Sequence, residues 1–226
     1  MENWVGDPKK SSDLPEWVPC FPLSDALLLP GSRLPLVIFE ERYLRMLAAA
    51  LAGSRLIGMT RPVVADAEKD LAPINIPRIH RIGCLGRIVA FEELPDGRVR
   101  IDLRGLVRFR VVQERFGDGG FRLGQLAYNE FFEKDMASLQ FSLPDRRGFV
   151  DKLRLYLKVK GLQTDWENVD KIPDEVLLLS TAQTLPFSAL EKQGLLECET
   201  KRDLFDMMIA LFELGVQKDK GDVRMN

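Results

Sequence analysis

The sequence predicts an α+β protein, with a β-rich first half and an all-helical second half. Three observations carry this prediction. Short apolar runs separated by proline and glycine turns fill residues 17–130. Within them Val99, Ile101 and Leu103 alternate with Arg98, Arg100, Asp102 and Arg104, the period of a strand with one dry and one wet face. From about residue 143 the period changes to 3.6, as in Phe149, Leu153 and Leu157. Strands first and helices afterwards mark the α+β class. The expected organisation is a disordered tail over 1–14, a β-rich subdomain over 15–132, a helical subdomain over 143–217 and a polar tail over 218–226.

Taken in order, residues 1–14 offer nothing to bury. Val18 to Leu23, Ala26 to Leu29 and Leu34 to Phe39 are short apolar runs. Pro30-Gly31 is a turn signal, and Pro35 marks the third run as an edge strand or a bulge. Glu40 to Ala52 reads as an amphipathic helix with Leu44, Leu47, Ala48 and Leu51 as its apolar stripe. Its first turn is acidic and Gly53 ends it. Arg55 to Met59 is a further strand. Residues 62–80, with three prolines, form a long loop. Ile82 to Leu94, the turn Pro95-Asp96-Gly97 and Arg98 to Arg104 make a hairpin. Gly105 breaks the run before Leu106 to Val112, and a last strand or two lies near Phe121 to Phe132. In the helical half Pro173 starts one helix, Ser188 with Glu191 forms a capping box for a second, and Thr200 with Asp203 opens the last. That last helix should bury Leu204, Met208, Leu211 and Phe212.

Composition excludes several functions. A net charge of −2 and a pI near 5.7 lack the basic excess of a protein that coats nucleic acid. No apolar run is long enough to cross a bilayer, and residues 1–13 do not read as a secretory signal. Three scattered cysteines, Cys20, Cys84 and Cys198, fit a reducing compartment, so a cytoplasmic protein is expected. One histidine, His80, and no CxxC spacing leave no metal site, and no cofactor is expected. There is no Walker A motif, no Gly-rich dinucleotide turn and no nucleophile elbow. His80 lies between Arg78 and Arg81 and has no carboxylate neighbour in sequence. The chain therefore reads as a non-enzyme.

Several blocks resemble the N-terminal, substrate-binding domain of Lon proteases. They are Phe21-Pro22-Leu23-Ser24-Asp25, Leu28 to Gly31, Leu34 to Met46, Arg55 to Met59, Ile82 to Ile88, Leu94 to Arg98 and Gly105 to Phe109. They occur in the family's order across about residues 17–115. The helical half fits by pattern. Lon proteases continue into ATPase and Ser-Lys protease modules, so this sequence looks like a stand-alone form of the domain. The resemblance implies a PUA-like β-barrel followed by a helical bundle, and recognition of unfolded or partner polypeptides, as an adaptor for a protease or chaperone or as a chaperone-like binder.

It supplies no catalytic residue. The candidate peptide-binding residues are Phe39, Glu41, Arg42, Tyr43 and Arg45 at the first helix, with Arg55 nearby. The plainer reading of Glu41 and Arg45 is a surface i, i+4 pair. An alternative is RNA binding by the PUA-like barrel through Arg98, Arg100, Arg104 and Arg108, with Arg110 beside them. Against it, Glu92, Glu93 and Asp102 are available as counter-charges, and no Tyr or Trp interleaves the arginines as a stacking platform.

Overall fold

The computed structural model describes residues 7–63, 78–117, 119–137 and 141–222, with side chains described to residue 217. The described residues hold six strands, seven α-helices and a short 3-10 helix at Ser11–Asp13. They fall into two compact units, one comprising residues up to Ala137 together with Ser188–Leu196, the other Ser138–Phe187 with residues from Glu197 onward.

The strands of the first unit are β1 (Trp17–Pro22), β2 (Arg33–Ile38), β3 (Leu56–Thr60), β4 (Ile82–Glu93), β5 (Val99–Phe116) and β6 (Arg122–Ala127). They lie in the order β2-β5-β4-β3-β1-β6, and β5 also pairs with β6. That extra pairing closes β1, β3, β4, β5 and β6 into a barrel and leaves β2 as an outer strand on β5. Only β1 and β3 run parallel.

Closure depends on one long strand serving two neighbourhoods. The first part of β5 lies between β2 and β4, and its last part, Arg110 to Phe116, pairs with β6. A strand of 18 residues must bend to do this, and β-bulges bend strands. Register shifts leave Leu106 and Val112 of β5 and Val89 of β4 as extra residues. The expected break at Gly105 is thus a bulge inside one continuous strand. Gly105 is required for a different reason. A side chain there would sit 2.1 Å from the carbonyl oxygen of Leu29, and the Leu29–Ser32 turn is bonded to its backbone, Gly31 N–H to Gly105 O at 3.0 Å and Gly105 N–H to Ser32 O at 2.9 Å.

The barrel core contains Val18, Cys20, Leu56, Leu85, Val107, Phe109, Val111, Leu126 and Tyr128. Leu14 joins it at 7% exposure. So residues 7–14, expected to have nothing to bury, bury Pro8 and Leu14 and pair Asp7 with Arg104. The alternation expected around residue 100 holds, with Ile101 and Leu103 buried and Arg100 and Arg104 exposed. Proline in β2 also fits, because β2 pairs only with β5. Ala26 to Leu29 is irregular, yet Leu27, Leu28 and Leu29 are buried.

Helix α1 (Glu41–Ala52) buries Tyr43, Met46, Leu47 and Ala50. The expected stripe of Leu44, Leu47, Ala48 and Leu51 has the same spacing but lies one residue round the helix. Tyr43 decides the rotation by packing on Phe21, with ring centroids 4.4 Å apart. A short helix, α2 (Phe132–Met136), follows β6 with no counterpart in the expectations. Pro62 and Ile79 form an isolated bridge at the base of the long loop, whose residues 64–77 lie outside the described residues.

The second unit holds α3 (Arg146–Val159), α4 (Trp166–Lys171), α5 (Asp174–Thr184) and α7 (Lys201–Asp222). Asp145 caps α3 by accepting from Gly148 N–H, and Phe149, Leu153 and Leu157 are buried as expected. Phe149 packs between Phe205 and Phe212 of α7, at 5.8 and 5.4 Å between centroids. Leu204, Met208, Leu211 and Phe212 are all buried.

Helix α6 (Ala189–Glu197) lies in sequence among these helices, but Ser188–Leu196 belongs to the barrel unit. Its capping box is formed: Glu191 accepts from Ser188 N–H, and the Ser188 hydroxyl accepts from Glu191 N–H.

Candidate functional site

The barrel unit carries a groove of about 770 Å³. Four short stretches build it. The end of β1 and the irregular turn after it give Pro22, Leu23, Ser24, Asp25 and Ala26. β2 gives Leu36, the start of α1 gives Glu40, Arg42 and Tyr43, and the β5–β6 turn gives Phe116, Gly120, Phe121 and Arg122, with Pro62 beside them. These places converge because β1 and β6 pair directly and β6 returns along the end of β5.

The lining mixes apolar side chains with four charged ones, Asp25, Glu40, Arg42 and Arg122. Phe116 is half exposed. Arg42 stacks on Tyr43, 4.5 Å from the ring centroid, and donates to Glu40 at 3.1 Å. Arg122 is buried, ion-paired with Glu114 and set 5.6 Å from the Phe116 ring. Burial lowers the Arg122 pKa and raises that of the Tyr43 hydroxyl, with Arg42 opposing the latter rise. Such a site offers both apolar and charged side chains to a ligand.

The sequence candidates divide. Arg42 and Tyr43 line the groove. Phe39 is 67% exposed next to it in the chain but is not among its lining residues. Glu41 and Arg45 form an exposed i, i+4 pair at 3.3 Å and are not among the lining residues. Arg55 occupies the turn after α1 with φ 58°. Phe116, Phe121, Arg122 and the Leu23–Ala26 wall were not expected. They come from positions about 100 residues apart, and the faint signal was the Gly117–Gly120 turn next to two phenylalanines.

The arginine candidates do not share one face. Arg98 pairs with Asp96 at 2.7 Å, Arg100 with Glu92 at 2.9 Å and Arg104 with Asp7 at 2.8 Å. Arg110 pairs with Glu130 at 2.8 Å. Arg108 turns inward. Both it and Asp135 of α2 are 6% exposed in an ion pair of 2.7 Å, and the guanidinium packs 4.9 Å from the Phe131 ring. His80, half-buried, is engaged through its backbone N–H with Arg61 O at 2.8 Å. Among the described residues no group of His, Cys, Asp and Glu could hold a metal ion, and no helix is long and apolar enough to cross a membrane.

This arrangement has known relatives. The chain is 34% identical over 106 residues to the Lon protease of Dictyoglomus thermophilum, covering 46% of this chain and 12% of that one. It is 24% identical over 199 residues to the Lon protease of Escherichia coli K12, covering 87% of this chain and 24% of that one. The chain thus spans a quarter or less of the length of these relatives. A crystal structure of a Lon N-terminal domain protein from Xanthomonas campestris has the same fold, with a TM-score of 0.56 and 23% identity over 86% of this chain and 97% of that one. So does the N-terminal domain of Mycobacterium avium complex Lon protease, with a TM-score of 0.58 and 16% identity over 87% and 98%. A family model matches residues 17–211, nearly the whole folded chain, and this protein belongs to the family of the ATP-dependent protease La (LON) substrate-binding domain.

Proposed function

We propose that the groove between β1, β2, α1 and the β5–β6 turn binds extended, apolar stretches of polypeptide. In this reading the protein recognises its partner without catalysing a reaction, as an adaptor for a protease or chaperone or as a chaperone-like binder. One observation carries the reading: Phe116, Phe121, Tyr43, Leu23 and Leu36 come together in an open groove whose charges lie at Glu40, Asp25, Arg42 and Arg122. Family membership supports it. Burying one aromatic or aliphatic side chain there contributes about 2 kcal/mol before ordering costs.

The arginine strip supports no second reading, since its exposed guanidiniums each face a carboxylate and Arg108 is buried. The test is fluorescence anisotropy with a labelled, reduced and carboxymethylated lactalbumin, a permanently unfolded chain. Wild type should bind it with little dependence on salt. Phe116→Asp should weaken binding roughly thirtyfold, matching about 2 kcal/mol for one buried ring. Unchanged affinity in that variant would refute the groove as the site.

A further inference from the structure

The wall of the groove formed by Leu23–Ala26 has no regular secondary structure. Its backbone is nonetheless held at successive points. Leu23 N–H donates to Thr60 O at 3.1 Å. The Lys192 ammonium of α6 donates to Asp25 O at 2.6 Å. The Arg61 guanidinium, next to Thr60 at the end of β3, donates to Ala26 O at 3.0 Å and to the Gln193 side-chain oxygen at 3.1 Å. Gln193 in turn donates to Ile82 O of β4 at 3.2 Å.

These groups are deep. Arg61 is 2% exposed, Gln193 3% and Lys192 8%. Taking two cations out of water is costly, and apolar residues of similar size would dock a helix at lower cost. Leu195 and Leu196 already give α6 an apolar contact face, at 1% and 4% exposure. What the two cations add is direction. They end on the carbonyls of two consecutive residues, both of which line the groove. A hydrogen bond from a charged donor to a carbonyl is shorter, stronger and more directional than apolar packing.

We infer that Lys192 and Arg61 are positioning residues for the groove. They fix the Asp25 and Ala26 carbonyls and so hold the irregular wall in the shape that receives a ligand. The inference rests on the groove reading for its functional meaning, while the bracing of the wall stands independently. The desolvated ammonium accords with this, since burial lowers the Lys192 pKa and the neighbouring Arg61 lowers it further, with Asp25 opposing.

The experiment compares wild type with Lys192→Met, Arg61→Met and Lys192→Arg. Amide hydrogen exchange reads the wall without any ligand. In both Met variants the hydrogen-bonded amides of this stretch, Leu23 and Leu29, should exchange about tenfold faster, while those of α1 and β5 stay unchanged. Lys192→Arg, which keeps the charge, should restore most of the protection. Binding of reduced, carboxymethylated lactalbumin should weaken by about threefold to tenfold in Lys192→Met, although its unfolding midpoint is equal to or above that of wild type. Loss of affinity without loss of stability separates positioning from mere structural support. Unchanged exchange at Leu23 and Leu29, or faster exchange across the whole barrel, would overturn the inference. So would faster exchange at the wall with unchanged affinity. If wild type itself fails to bind the probe, the groove reading falls, and the exchange result still decides whether the brace exists. Should Lys192→Met not fold, Lys192→Gln serves the same comparison.

Discussion

Two surfaces of the barrel unit invite comparison as binding sites, the groove and the arginine-bearing arm of β4 and β5. The arm carries more charge, but each of its exposed guanidiniums already meets a carboxylate within 3 Å. The groove carries less charge and leaves aromatic area open at Phe116. Matched charges on an exposed strand have little left to offer a ligand, whereas unfilled apolar area gains by being covered. Counting arginines in the sequence favours the arm, whereas pairing and burial favour the groove as the surface to propose.

The largest expected effect sharpens the difference within the arm itself. Arg108 belongs to the same run as Arg100 and Arg104 but is structural, because its guanidinium is buried against Asp135. Asp135→Ala leaves that cation without its partner in the interior, and chemical denaturation should show a loss of about 3–5 kcal/mol. Replacing both partners with apolar residues of similar size, Arg108→Met with Asp135→Leu, should recover most of it. A loss below about 1 kcal/mol in Asp135→Ala would place Arg108 with the surface arginines.

The arm's exposed pairs should behave oppositely. Arg100→Ala, which removes the ion pair with Glu92, should cost no more than about 1 kcal/mol. The charge reversals Arg100→Glu and Arg104→Glu together should leave the affinity for an unfolded polypeptide within about twofold. A steep loss of affinity, or strong salt dependence in wild type, would return the arm to consideration.

A last prediction concerns two buried thiols of the barrel unit, Cys20 and Cys84. Cys20 is fully buried on β1, and burial pushes its thiol from the usual 9.0 up to about 12; burial also raises Cys84, with Asp135 adding to the rise. Iodoacetamide at pH 8 should therefore modify Cys198, which is partly exposed, and spare Cys20 and Cys84 until the chain unfolds. The linked stability has a definite sign. The unfolded thiol loses its proton near 9 while the folded thiol keeps it to about 12. The contribution is thus complete below pH 9 and is lost progressively as pH rises toward 12. Urea midpoints measured from pH 8 to 11 for wild type and Cys20→Ala should converge as pH rises.

Much of this fold was legible in the sequence because the signals were local. The Val99, Ile101, Leu103 alternation, the Phe149, Leu153, Leu157 stripe and the Ser188–Glu191 box each depend on residues within a turn or a strand of one another. What escaped depends on distant partners. The buried face of α1 is rotated by one residue because Tyr43 meets Phe21. Gly105 lies in a bulge set by β4 and the Leu29 turn rather than at a strand break. Helix α6 joins the barrel through Arg61 and Ile82, more than 100 residues earlier in the chain. The site suffered in the same way. Arg42 and Tyr43 were placed because they share a helix start, whereas Phe116 and Arg122 reach the groove through the β1–β6 and β5–β6 pairings. No periodicity reports such pairings.

The account is tested most directly by one anisotropy titration with labelled, reduced and carboxymethylated lactalbumin, run in parallel on wild type, Phe116→Asp and the Arg100→Glu, Arg104→Glu pair. The groove account predicts roughly thirtyfold weaker binding in Phe116→Asp and near wild-type binding in the arginine pair. The reverse order, with binding lost in the arginine pair and kept in Phe116→Asp, would contradict it.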